Sequence, residues 1–546
     1  MKNILLIVII GLCTVRFASA QTYTDVLITT AKNMIDTNSS LVILDVRNQT
    51  EYDAGHVRNA RLIPLYELQG RLGELNKTDE ILIYCKAGGR STAASQTLVD
   101  NSFLHVYNML GGFEAWNKTG YPYYVKYSSI QEAINGASEG TKILVSSGLY
   151  HEHIQVNKSL IIIGENKYKT IIDGSGSGTV FQVKADNVSI SETSVQFCGC
   201  SCEDFRGIYV EPHHQNVNIT DNNIVSNGIG IEISWGNGAI LARNNITQSS
   251  YAIRASNSSN ILIQNNSITL NSDGADLLNS TNINVSANTI YDNAYGLYIA
   301  RSGNNSIINN LFDSNQIYDI FDGGQCANNS IFHNNFVLSI SYPFTPDSAN
   351  SWDDGYPSGG NYWSNYTDVD LYSGSHQNET GSDGIWDHPY HRTGGTDRYP
   401  LKGSFNTTSI IAWNETVYNV DVVSNSEISN FSYSANPQTL GLEVGARAAG
   451  FCRVAIPKDL MSAEGTEQWI ITQDGEPIQQ RNVRGDDYYN YIYFNYTQGT
   501  RTVLIQKEKA IPEFSLYPIL PLSVATTLLL LVAYRKRLVT THKKPV

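Results

Sequence analysis

Positive charge is in short supply in this sequence. Its 546 residues hold 37 Lys and Arg against 51 Asp and Glu, a formal net charge of -14, and charged side chains make up only 16% of the chain. A phosphate backbone is neutralised by clustered Lys and Arg, so this balance argues against nucleic acid as a partner. Helical periodicity is missing from the middle of the chain. Asn, Ser, Thr, Gly and Tyr are abundant instead, the surface chemistry of a secreted β-protein. A chain this long does not form one core, and three or four domains are expected.

Both ends are apolar. Residues 1–20 read as a secretory signal, with Lys2, an apolar run from Ile4 to Leu12, and Ala18-Ser19-Ala20 before Gln21. Cys13 would be removed with it. Leu516 to Tyr534 is long enough to cross a bilayer and is followed by Arg535-Lys536-Arg537, Lys543 and Lys544. Basic residues stay on the cytoplasmic side, so the expectation is a single-pass cell-membrane protein. Its anchor would be 516–534, its cytoplasmic tail 535–546, and the bulk of the chain would lie outside. Asn-x-Ser/Thr sequons at Asn48, Asn76, Asn117, Asn187, Asn245, Asn284, Asn365, Asn414 and Asn495 fit an exported glycoprotein.

The first chemistry-bearing motif is Cys85-Lys86-Ala87-Gly88-Gly89-Arg90-Ser91, directly after Ile81-Leu82-Ile83-Tyr84 and before a helix-like stretch from Ser91 to Val99. A thiol at a strand end, with two glycines letting amides turn inward and a helix N-terminus behind it, sits where amide dipoles stabilise a thiolate. Arg90 adds a permanent positive charge. The same cradle would hold the negative charge of a persulfide on Cys85 or an anionic sulfur donor.

From about Val26 to Pro122 the chain resembles a single-domain rhodanese. Leu44-Asp45-Val46-Arg47, then Glu51-Tyr52-Asp53-Ala54-Gly55-His56-Val57, Ile63-Pro64, Gly111-Gly112-Phe113-Glu114-Ala115-Trp116 and Gly120-Tyr121-Pro122 follow one another in the family's order. Between Cys85 and Arg90 lie four residues, the sulfurtransferase loop length; phosphatases of the same fold carry one more. The resemblance implies sulfane-sulfur transfer with Cys85 as the nucleophile and no required cofactor. Its substrates would be small sulfur anions, thiosulfate or polysulfide, and its acceptor a thiol or a protein. Asp45, Arg47, Glu51 and His56 are expected to brace the loop rather than touch sulfur.

The middle of the chain repeats. Asn222, Asn244, Asn266, Asn288 and Asn310 are 22 residues apart, and Asn334 follows after 24. In phase with them run Ile224, Ile246, Ile268, Ile290, Phe312 and Phe336, and Ile219, Leu241, Ile263, Val285, Ile307 and Ile331. Such a period predicts a right-handed parallel β-helix whose coils stack about 4.8 Å apart, with stacked Asn at a turn and stacked Ile inside. Gly230, Gly274 and Gly296 are expected at tight corners. Ile190 falls in the column of Ile219 but 29 residues away, so the intervening stretch holds an insertion. That stretch includes Cys198, Cys200 and Cys202, which can bind a soft metal such as Cu(I), stay unliganded, or form a disulfide with a partner such as Cys326. One outward column carries Glu232, Arg254, Asp276 and Tyr298; another carries Asp221 and Arg243. Acids beside a base can cleave polysaccharide, and alternating charges can equally pair across a sheet.

The stretch from about Ser128 to Phe405 resembles the periplasmic copper-site maturation protein of nitrous oxide reduction and related carbohydrate-binding β-helices. The likeness is carried by Ser129-Ile130-Gln131-Glu132-Ala133-Ile134, by Trp352-Asp353-Asp354-Gly355, by Gly359-Gly360-Asn361-Tyr362-Trp363 and by Asp397-Arg398-Tyr399-Pro400-Leu401. It implies cell-surface glycans as a partner class. Asp383 and Asp387, in Gly381-Ser382-Asp383-Gly384-Ile385-Trp386-Asp387, fit either a Ca2+ turn in the cap or a purely structural one. Short alternating strands from Asn406 predict a small β-sandwich with Cys452 in its core. The expected order is therefore signal peptide 1–20, α/β rhodanese-like domain 24–125, parallel β-helix with its cap 128–405, β-sandwich stalk 406–510 and a C-terminal transmembrane helix. Ile511-Pro512-Glu513-Phe514 before that helix resembles the anchors of archaeal surface proteins.

Overall fold

A computed structural model describes residues 22–196, 205–338, 349–392, 395–412, 415–446, 448–462, 469–478 and 481–507. The chain divides into two compact units, at Asn406 and Thr407. Among the described residues no helix is long and apolar enough to cross a membrane. The expected signal peptide, the segment 516–534 and its tail lie outside the described residues.

The first unit begins with a five-stranded parallel sheet built from β1 (Thr24–Val26), β2 (Val42–Asp45), β3 (Arg61–Leu62), β4 (Glu80–Tyr84) and β5 (His105–Met109), in the order β1-β5-β4-β2-β3. Around it lie α1 (Ile28–Thr37), α2 (Gln49–Asp53), α3 (Leu65–Arg71), α4 (Gly89–Asp100) and α5 (Gly112–Lys118). The central strand β4 is an unbroken apolar run because both its faces are covered. Its side chains alternate: Ile81, Ile83 and Cys85 pack with Leu98 and Phe103 on one face, while Leu82 and Tyr84 pack with Met109 and Trp116 on the other.

The periodic region forms three parallel sheets of ten, eight and ten strands, to which successive coils contribute in turn. Ile246 pairs in register with Ile268, and both are buried in one interior column with Ile224, Ile290 and Phe312. The Asn ladder is continuous. Asn244 Nδ2 donates to Asn266 Oδ1 at 3.1 Å and Asn266 Nδ2 to Asn288 Oδ1 at 3.0 Å, and each side chain also joins backbone groups of adjoining coils. A second ladder runs from Asn271 to Asn293 to Asn315.

The glycines play a different part from the one expected. Gly230, Gly274 and Gly296 are not in the left-handed region; the residues before the ladder Asn are, including Asp221, Arg243, Asn265 and Ala287. A Cβ on Gly230, Gly274 or Gly296 would come within 2.5 Å of a carbonyl oxygen on the adjoining coil. These glycines therefore allow close approach between coils rather than corners. Ile190 pairs with Ile219 as expected from the insertion, and the three-cysteine stretch lies outside the described residues.

One end of the helix is closed by α6 (Ile130–Gly136), capped by Ser129, with Ile130 and Ile134 in the core. At the other, Phe312, Phe336 and Trp363 stack in series at 5.2 and 4.1 Å. The second unit contains two five-stranded sheets around one apolar core of Val422, Val454, Phe494, Val444, Ile505 and Trp469. Cys452 is fully buried there, and burial pushes its thiol well up.

Candidate active site

Cys85 follows β4 directly and is 1% exposed. Its loop is turned by α5: the carbonyls of Cys85 and Lys86 accept the amides of Phe113 and Glu114 at 2.8 and 2.9 Å. Since C=O and N–H point oppositely across a trans peptide, the amides of Lys86 and Ala87 face away from α5. Gly112 makes this contact close, because a Cβ there would meet the Cys85 carbonyl oxygen at 2.4 Å. Gly88, at φ 114°, then turns the chain into the N-terminus of α4, and its amide donates to Cys85 Sγ at 3.1 Å.

Burial opposes ionisation of this thiol, but the Ser91 hydroxyl and the amides of Ser91, Gly88 and Ala87 outweigh it and hold Cys85 below the ordinary cysteine value. Ser91 Oγ is also 2.9 Å from the Gly88 carbonyl. Its single proton can serve either acceptor, and a thiolate draws it. Lys86, Ala87 and Gly89 are exposed around the loop.

Arg90 brings its positive charge to the loop with a carboxylate partner that the sequence did not reveal. Its guanidinium forms a fork with Glu51, two bonds of 2.7 Å each. Arg90 above all, with help from the Asn48 amide, holds the Glu51 carboxylate at about 2. Glu51 is in turn fixed by a capping box with Asn48 at the start of α2. Asp45 and Arg47 are buried and paired, Nη2 to Oδ2 at 2.6 Å, and Arg47 also donates to the Gly55 carbonyl at 2.7 Å. The Arg47 guanidinium lies 4.3 Å from the centre of the Phe113 ring, so it braces the segment that shapes the cradle. Of the four residues expected to brace the loop, Asp45 and Arg47 pair with each other and Glu51 pairs with Arg90, rather than hydrogen-bonding to the sulfur.

His56 has a partner the sequence did not reveal. Its Nε2 lies 3.2 Å from Glu165 Oε1, on the first coils of the β-helix, and its Nδ1 3.0 Å from the Tyr52 carbonyl. Glu165 also accepts the amides of Asn59 at 2.8 Å and Ser147 at 2.9 Å. Burial raises the Glu165 carboxylate, but His56 and these amides more than reverse it and leave it below its ordinary value. Its distance in sequence left no local pattern by which to find it.

The remaining candidates separate. Glu232, Arg254, Asp276 and Tyr298 do stack in one register. Arg206 pairs with Glu232, and Arg254 with Asp276 at 3.3 Å. Burial, helped by Asp273, pushes Asp276 up to about 7. Asp221 and Arg243 pair at 2.7 Å. Asp383 accepts the Ile385 amide, and Asp387 accepts those of Leu371 and Tyr372, so both brace turns. Among the described residues no group of three or more His, Cys, Asp or Glu is placed to hold a metal ion.

Two family profiles match the chain. Residues 27–119 match the rhodanese-like domain, and residues 134–368 match the periplasmic copper-binding protein NosD. Thiosulfate sulfurtransferase GlpE of Coxiella burnetii is 38% identical over 76 residues, 14% of this chain and 71% of that protein. The chain belongs to the rhodanese-like family. A sulfurtransferase of Allochromatium vinosum is 30% identical over 92 residues, 17% of this chain and 85% of that protein. The putative sulfur carrier protein YrkF of Bacillus subtilis is 41% identical over 85 residues, covering 16% of this chain and 46% of that protein. The chain thus spans about half the length of the first curated relatives it matches. Beside the rhodanese-like domain stands the NosD-like β-helix. Cys326 is buried there, its thiol raised by burial to about 12, and its sulfur faces the Ile299 and Gly324 carbonyls.

Proposed function

We propose that this protein is an extracytoplasmic, membrane-anchored sulfurtransferase that carries sulfane sulfur on Cys85. The observation behind this reading is the Gly88 amide 3.1 Å from Cys85 Sγ, in a ring completed by Ser91 and the Ala87 amide. The thiolate attacks the outer sulfur of a donor; the donor's bond to that sulfur breaks and its electron pair leaves with the remainder. The persulfide then rests its charge on the amides until an acceptor nucleophile attacks the terminal sulfur and returns Cys85 to the thiolate. The names of the GlpE and Allochromatium relatives support this chemistry. The apolar ends of the sequence support the anchored placement, which would make donors environmental and set the β-helix against the cell surface and its glycans.

Cys85→Ser tests the reading, because the hydroxyl nearly matches the thiol in shape but forms no persulfide. Thiosulfate or polysulfide should add one sulfur to the native chain and none to the variant, read by intact mass, and sulfur transfer to cyanide should vanish. Transfer that persists in the variant removes Cys85 from the mechanism.

A further inference from the structure

The charges around the cradle narrow the donor. Arg90 is forked to Glu51 at 2.7 Å, Arg47 is buried against Asp45 at 2.6 Å, and Lys86 lies 3.6 Å from Glu114. Each cation of the loop and its supports is therefore matched by a carboxylate. The pairs differ in strength: Lys86 and Glu114 are more than half exposed and weakly coupled, whereas the Arg90 fork is bidentate and fixed by the capping box. Stabilisation of the sulfur comes from amides and a hydroxyl, neutral dipoles suited to one diffuse negative charge.

Resting on the sulfur-transfer reading above, we infer that the donor is an organic hydropersulfide, R–S–S–H, rather than the dianion thiosulfate, and that Glu51 sets this preference. A dianion must approach Arg90 against the carboxylate that already occupies its fork. A hydropersulfide brings one charge at most and an organic group. In the step itself, the Cys85 thiolate attacks the outer, hydrogen-bearing sulfur, a new S–S bond forms, and the donor's S–S bond breaks. The thiolate RS⁻ leaves with the electron pair, and the proton stays on the transferred sulfur, giving Cys85–S–S–H. No outside oxidant or reductant enters.

The test compares the full chain, Glu51→Gln and Glu114→Gln with glutathione hydropersulfide and with thiosulfate as donors. Gln at position 51 keeps the capping-box hydrogen bonds while removing the charge. The native chain should use the hydropersulfide at least about tenfold better in kcat/KM than thiosulfate, and Glu51→Gln should move that ratio toward thiosulfate by about 3- to 10-fold, less at high salt. Glu114→Gln should move it in the same direction and less, since its pair is exposed. A ratio is read because a general loss of folded enzyme does not change it. Equal use of both donors by the native chain, or an unmoved ratio in Glu51→Gln, overturns the donor assignment while leaving sulfur transfer in place. If neither donor puts a sulfur on Cys85 by intact mass, the sulfur-transfer reading itself falls.

Discussion

At the scale of single residues, the cradle is a balance between burial and neutral donors. Cys85 is almost fully buried, and burial alone would raise its thiol; Ser91 and the amides of Ser91, Gly88 and Ala87 reverse this. Removing the Ser91 hydroxyl should shift that balance while the amide donors remain, at the loss of its hydrogen bond to the Gly88 carbonyl. Ser91→Ala is therefore expected to raise the midpoint of Cys85 alkylation by iodoacetamide across a pH series, toward the ordinary thiol value of about 8.5. The motif and its order could be read from the sequence. The fork between Arg90 and Glu51 could not, because 39 residues separate partners that meet only when α2 is laid beside the loop.

At the scale of elements, the β-helix shows how one repeated residue holds many coils. Each ladder Asn links its own coil to its neighbours through side chain and backbone together. In Asn266→Ala the Asn244 amide and the Leu241 carbonyl would lose their buried partner. Each buried group left unpaired costs about 1–3 kcal/mol, so the midpoint of chemical denaturation should fall clearly, whereas Asn260→Ala on an exposed turn should fall less. The interior columns were legible because a fixed period repeats the same face. The role of Gly230, Gly274 and Gly296 was not, because a need for small residues looks alike whether it arises from backbone angle or from a carbonyl on the next coil.

At the scale of the first unit, the rhodanese sheet and the β-helix are joined by more than a linker. Tyr124 forms an antiparallel bridge with His56, Val125 a parallel bridge with Val145, and Glu165 enters the rhodanese loop to meet His56 and Asn59. His56 Nε2 faces the Glu165 carboxylate and Nδ1 the Tyr52 carbonyl, which ties the ring to both domains. Glu165→Ala should leave His56 buried without its carboxylate and speed proteolysis near residues 121–127, read by the size of the released fragments. The Glu165 carboxylate is lower in the fold than in the unfolded chain, so its contribution to stability is present above the ordinary carboxylate value of about 4.3. It should be lost as pH falls through the lower folded value, and the native chain should then release the same fragments as the variant.

The sequence by itself determined what is local or periodic: the cysteine loop between a strand and a helix, the alternation along β4, the 22-residue columns, and the aromatic residues that close them. Nearest-neighbour chemistry and repeated burial fix such features, and both are written in consecutive or evenly spaced residues. Tertiary structure decided which charges meet around the cysteine loop, whereas Asp221 with Arg243 and Arg254 with Asp276 pair at the 22-residue period of the coils. Glu51 neutralises Arg90, Glu114 faces Lys86, and Glu165 reaches His56 from 109 residues away, because outside the repeats ion pairing depends on distance in space and follows no spacing in the chain.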